Sequence, residues 1–131
     1  MVGIVIVSHS PKIAEGVRDL ANEMAREKDF IFCAGGLEDG TIGTDATRVA
    51  EAVQAADQGD GVLVLADLGS AVMSAEMALE MFVDPETKAR IADAPLVEGA
   101  VAAAVEASCG SSLDEVCEAA EAARGERKLD A

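Results

Sequence analysis

An open α/β fold, with a mainly parallel sheet covered by helices on both faces, is predicted for this chain by three observations. Short, almost wholly apolar runs rich in β-branched residues recur along it. Amphipathic stretches of helical period separate them, and turn residues mark each change of period. The 131 residues suit one domain, and a hydrophobic fraction of 50% is enough for a real core. With no Trp or Tyr and only 3 Phe, that core must be aliphatic.

The elements follow in order. Val2 to Val7 is apolar at nearly every position and stops at Ser8-His9-Ser10, which predicts a strand buried on both faces. Residues 11–28 change period: Ile13, Val17, Leu20 and Met24 form an apolar stripe, with Glu15, Arg18, Asp19 and Glu23 between them. Ser10 suits the N-cap of this helix and Pro11 its first turn. Phe30 to Ala34 predicts a second strand, closed by Gly35 and Gly36. After a polar loop, Thr44 or Asp45 caps a helix that turns Val49 and Val53 inward and ends near Gln58 and Gly59. Val62 to Ala66 is the third strand and ends in Asp67-Leu68-Gly69-Ser70. A helix rich in Ala and Met is expected from Ala71 to Phe82, and a weaker strand from Lys88 to Ala94. Leu96 to Ala107 and Leu113 to Ala123 read as the last helices, the second with a Ser112/Glu115 capping box. Residues 1–123 make the expected domain, and 124–131 a charged, frayed tail.

Composition excludes several classes. A formal net charge of −15 repels nucleic acid and favours a partner with a basic face, although a solvated acidic surface explains most of it. The three cysteines lack CxxC spacing, and one histidine gives them little help toward a zinc site. No metal is expected. No apolar run approaches a membrane span, and Val2 to Val7 is too short for a signal sequence, so the expected location is the cytoplasm.

In open α/β sheets, ligands bind beyond the carboxyl ends of the strands, where the strand order reverses. Three segments fall at such ends: Ser8-His9-Ser10, the loop from Gly35 to Asp45, and Asp67 to Ser70. If the first strand lies between the second and third, the three meet over one site. There His9, the sole histidine, is a candidate nucleophile, and Asp67 a carboxylate that fixes its tautomer and orients its ring. The amides at the start of the helix near Pro11, with the hydroxyls of Ser8, Ser10, Thr44 and Ser70 and the backbone at Gly69, are candidates to cradle a phosphoryl dianion. Each residue also has a plainer reading: a surface histidine, helix caps at Asp67, Ser10 and Thr44, tight turns at the glycines. A Ser-His-Asp hydrolase lacks its G-x-S-x-G elbow here, and no Walker A sequence is present.

Four stretches add a resemblance: IVSHSPKIAEGV, IGTDATRVAEAV, VLADLGSAVMSAE and APLVEGAVAA. In this order, and over about Met1 to Ala123, the chain resembles the phosphotransferase subunits of dihydroxyacetone kinase. Their first domain is similar to the mannose-type EIIA domain of the bacterial sugar phosphotransferase system. The resemblance implies an open sheet of order 2-1-3-4 and a homodimer. It implies that His9 carries the phosphoryl group covalently, with no bound cofactor, and that Asp67 pairs with it. It further implies HPr as phosphoryl donor and ADP on the kinase subunit DhaL as acceptor, with DhaK using the ATP to phosphorylate dihydroxyacetone. The GSA after Asp67-Leu68 and the PLVEG segment favour this branch over a sugar transporter subunit. A regulatory module read through its phosphorylation state is the other alternative. The single-domain form is expected, with its donor on a separate protein, and no edge strand exchanged across a dimer is recognisable.

Overall fold

The computed structural model describes residues 1–130. Four parallel strands form one sheet: β1 (Gly3–Ser8), β2 (Ile31–Gly35), β3 (Val62–Ala66) and β4 (Ala89–Ile91). Their order is β2-β1-β3-β4, the order that the resemblance implied. Helices α1 (Pro11–Met24), α4 (Leu96–Ser108) and α5 (Leu113–Ala122) cover one face. Helices α2 (Ala46–Ala56) and α3 (Gly69–Met77) cover the other, and α3 runs on into a π-helical turn over Ala78–Phe82.

Side-chain alternation divides the core in two. Ile4 and Ile6 of β1 join Leu63 and Leu65 of β3 beneath α1, α4 and α5. Val5 and Val7 join Val62 and Val64 beneath α2 and α3. All six residues of β1 are buried, as a central strand requires, which explains why its sequence shows no polar alternation. The chain moves from β1 outward to β2, then returns past β1 to β3. Right-handed crossovers in opposite directions place their helices on opposite faces. The loops leaving β1 and β3 therefore part and open a crevice at the carboxyl ends of these neighbouring strands.

Several boundaries differ from expectation. Helix α1 ends at Met24, and it buries Ala14, Val17 and Ala21 while Ile13 (49%), Leu20 (42%) and Met24 (56%) stay exposed. The stripe is rotated because α1 packs against α4, whose buried face is Ala100, Ala103, Ala104 and Ala107; alanine facing alanine lets the backbones approach closely. Strand β4 has only three residues, and α3 begins two residues earlier than expected, at Gly69. The tail is not wholly frayed. Ala123–Gly125 forms a 3-10 turn, and Arg124 pairs with Asp93 at 2.8 Å. Ala131 lies outside the described residues.

Gly35 shows how closely the layers meet at the site. A Cβ there would lie 2.8 Å from both the Pro11 Cα and the Ala14 Cβ, and 3.0 Å from the Ser10 carbonyl oxygen. These are atoms of the first turn of α1 and its cap, and they cannot swing aside. Gly35→Ala is expected to destabilise the protein by about 1–3 kcal/mol, the usual range for overpacking. Urea denaturation checks this; an unchanged midpoint would mean that α1 can retreat from the sheet freely.

Candidate active site

Ser8 ends β1, so His9 is the first residue in the crevice, and Asp67 directly follows β3. Continuation of the parallel ladder, with the Asp67 N–H donating to the Val7 carbonyl at 3.1 Å, sets the two residues side by side. His9 Nδ1 lies 2.9 Å from Asp67 Oδ1. A carboxylate can only accept, so Nδ1 carries a proton, and in the neutral ring Nε2 holds the lone pair. The same carboxylate receives the His9 N–H at 3.0 Å and the Ser8 hydroxyl at 2.8 Å on Oδ2, and the Leu68 N–H at 2.7 Å on Oδ1. Four donors thus hold it. The side chains of His9 and Asp67 are 21% and 14% exposed, so the pair is sheltered but reachable.

Nε2 faces α3. The Ser70 hydroxyl, in the first turn of that helix, is hydrogen-bonded to it. Leu68 is the N-cap of α3, and no side chain caps the helix among the described residues. Its first amides are therefore available to an anion. At Gly69 a Cβ would meet nothing within 4 Å, so the approach is open. Helix α1 is less well placed than the sequence suggested. Pro11 has no N–H, and the Ser10 hydroxyl already accepts from the Ile13 N–H at 3.3 Å.

The third segment braces the site. The Gly43 N–H donates to the His9 carbonyl at 2.9 Å, and the Gly36 N–H to the Ser8 carbonyl at 3.0 Å. Gly43 has φ +151°, where a Cβ would also meet Leu37. Thr44 bonds through its hydroxyl to Ser74 at 2.7 Å, and Asp45 caps α2. Beyond Asp67, toward β4, a groove of about 420 Å³ is lined by Leu68, Val72, Glu76 and Asp93, among others.

The model of the EIIA-man family, the PTS system fructose IIA component, matches residues 3–117. The chain belongs to the EIIA-man family. Similar proteins place it in the DhaM branch. It is 44% identical over 128 residues to the phosphoryl donor subunit DhaM of a PEP-dependent dihydroxyacetone kinase from Providencia stuartii, covering 94% of this chain. It spans only 27% of that relative's length. A second DhaM, from Listeria innocua, is 41% identical, and the match covers 88% of this chain and 94% of the relative. The crystal structure of the phosphotransferase system component EIIA from Streptococcus agalactiae superposes with a TM-score of 0.71 over 99% of this chain and 97% of the other. At 17% identity that likeness concerns the fold alone.

The EIIA-man fold thus brings His9, Asp67 and Ser70 together, with Gly69 beside them. It assigns other candidates to supporting places. Ser8 is fully buried, and its hydroxyl is spent on Asp67, so it does not face an incoming phosphoryl group. Ser10 is a helix cap. Thr44 is tied to Ser74, and the cap expected at Thr44 or Asp45 is Asp45. Asp67 is no cap of α3, because its oxygens serve residues 8, 9 and 68. Ser74 went unremarked in the sequence, although its spacing of one helical turn from Ser70 puts both on one face of α3.

Burial pushes the Asp67 carboxyl up, but the His9 N–H, the Ser8 hydroxyl, the His9 ring and the Leu68 N–H together hold it below the ordinary carboxylate value. An EIIA-man site so built keeps Asp67 ionised throughout the neutral range. It presents one nucleophilic nitrogen beside an uncapped helix start, an arrangement suited to accepting an anionic electrophile on Nε2.

Proposed function

We propose that this chain is a phosphohistidine relay in a PEP-dependent dihydroxyacetone kinase system, taking a phosphoryl group from HPr and passing it to ADP on DhaL. The observation that carries the reading is the commitment of His9 Nδ1 to Asp67 at 2.9 Å, with Nε2 turned to the start of α3. Nε2 attacks phosphorus, the N–P bond to it forms, and the N–P bond to the donor's imidazole breaks. The His9 ring becomes cationic, and the Asp67 carboxylate on Nδ1–H stabilises that charge. The Ser70 hydroxyl, now on Nε2, is released to donate to a phosphoryl oxygen, alongside the amides of Gly69 and Ser70. In the second half an oxygen of the ADP β-phosphate attacks, the N–P bond breaks, Nε2 regains its lone pair, and ATP forms for DhaK to use on dihydroxyacetone. The chain itself holds no cofactor or metal in this reading.

The surface supports protein partners. Ile13, Ile42, Leu68 and Met73 are exposed, and each stands in a segment that borders the crevice. The net charge of −15 favours a donor with a basic face, so the encounter is expected to slow with added salt. A homodimer in the cytoplasm is part of the proposal. Met73, Met77 and Met81 form an exposed stripe along α3 and its π turn, near the short edge strand β4, and a second copy would cover it. Residues 1–123 would be the phosphotransferase domain and 124–131 its appendage.

Intact-protein mass after incubation with phosphoenolpyruvate, enzyme I and HPr tests the relay. One acid-labile phosphoryl group is expected, lost on addition of ADP-bound DhaL as ATP appears. Labelling without discharge would replace the relay with a sugar transporter subunit or a signalling module. No labelling by a competent donor would end the phosphohistidine reading.

A further inference from the structure

Among the described residues, Ser8 is the one polar residue that the core fully encloses, at 0% exposure. It sits at the end of β1, its backbone in register with Gly35 of β2. Two bonds occupy the hydroxyl. The Ser10 N–H lies 3.1 Å from Oγ, and Oγ lies 2.8 Å from Asp67 Oδ2. An amide can only donate and an ionised carboxylate can only accept, so the direction of the chain is set: Ser10 N–H to Ser8 Oγ, and Ser8 O–H to Asp67 Oδ2. Water has no access to replace either partner, and a buried donor left unmade is costly. Neither bond depends on ligand, so the hydroxyl is always engaged.

This arrangement bears on the nucleophile through rotation of the carboxylate. Oδ2 is held from one side by the Ser8 hydroxyl and the His9 N–H, and Oδ1 is thereby aimed at His9 Nδ1. Apart from the His9 ring itself, Asp67 is reached by the backbone N–H groups of residues 9 and 68, and Ser8 is the second side chain that holds it. We propose that Ser8 is a positioning residue that locks the Asp67 carboxylate and so keeps His9 in the Nδ1–H form, with Nε2 unprotonated. The proposal rests on the phosphohistidine reading for its kinetic consequence, but not for the tautomer, which can be observed without any partner.

His9 is the only histidine in the chain, so uniform labelling with ¹⁵N-histidine gives the spectrum of one imidazole. In the unmodified protein the Nδ1–H tautomer is expected. In Ser8→Ala, a mixture with Nε2–H is expected, together with phosphoryl acceptance from phospho-HPr slowed about tenfold or more, the size of one hydrogen bond to a charged group. The slowing should fall on kcat, with KM for phospho-HPr unchanged. Ser8→Thr keeps the hydroxyl and should restore the tautomer; Ser8→Cys, a weak donor, should lie between. A Ser8→Ala protein that melts normally and keeps the Nδ1–H form would overturn the proposal. So would a loss of rate that appears only in KM. If the unmodified protein accepts no phosphoryl group, the relay reading fails by itself, while the tautomer comparison still decides the role of Ser8.

Discussion

Replacement of His9 by alanine is expected to abolish phosphoryl acceptance while the protein stays folded. The imidazole is outside both core clusters, and its ring is 21% exposed. The backbone contacts that seat residue 9 do not involve the ring: its N–H still reaches Asp67, and its carbonyl still accepts from Gly43. Asp67 loses one of four donors and keeps Ser8, Leu68 and the backbone of residue 9. The cost in stability should stay below about 2 kcal/mol, in the range for one hydrogen bond to a charged group. Intact mass after exposure to phosphoenolpyruvate, enzyme I and HPr should then show no addition, with a thermal melt close to that of the unmodified protein. An undiminished addition to His9→Ala would remove His9 as the nucleophile.

Asp67→Asn should fold and still transfer poorly, by ~10²-fold or more, because the change acts on a tautomer. Asparagine has one acceptor oxygen where aspartate has two. Three fixed donors, the Ser8 hydroxyl and the N–H groups of His9 and Leu68, surround this position. If the amide oxygen takes the side of Ser8 and His9 N–H, the NH₂ group faces Nδ1. Nδ1 must then accept, the proton moves to Nε2, and the lone pair needed for attack is gone. The positive charge that forms on the ring also loses its counter-charge. Rapid-quench transfer from phospho-HPr measures the effect. An unchanged rate would leave Asp67 with a purely structural role.

The same substitution has a pH signature. Burial raises the Asp67 carboxyl, and its four donors outweigh that and lower it. A carboxylate held below its unfolded value contributes stability that is complete above the unfolded pKa of about 3.9 and is lost as pH falls through the lower folded value. The stability difference between the unmodified protein and Asp67→Asn should therefore be level near neutrality and shrink below about pH 4. Urea midpoints across that range would show it.

What the sequence determined by itself was whatever depends on neighbours along the chain. An apolar β-branched run from Val2 to Val7 can only be a strand covered on both faces. Ser112 and Glu115 form the expected capping box because both partners lie within one turn. His9 and Asp67 stood out because each directly follows a strand, the place where this class of fold puts its ligands. The tertiary structure alone decided how these groups are used. Ser8 and Ser70 are both small hydroxyls near the site, and nothing local separates them. One is enclosed by the core and serves the carboxylate; the other begins an uncapped helix and reaches Nε2. The face that α1 buries was likewise settled by the alanines of α4, far along the chain, which admit Ala14 and Ala21 and leave Ile13 and Leu20 outside. The physical reason is separation: His9 meets Asp67 and Ser70 across 58 and 61 residues, and only closure of the parallel sheet brings them within hydrogen-bonding reach.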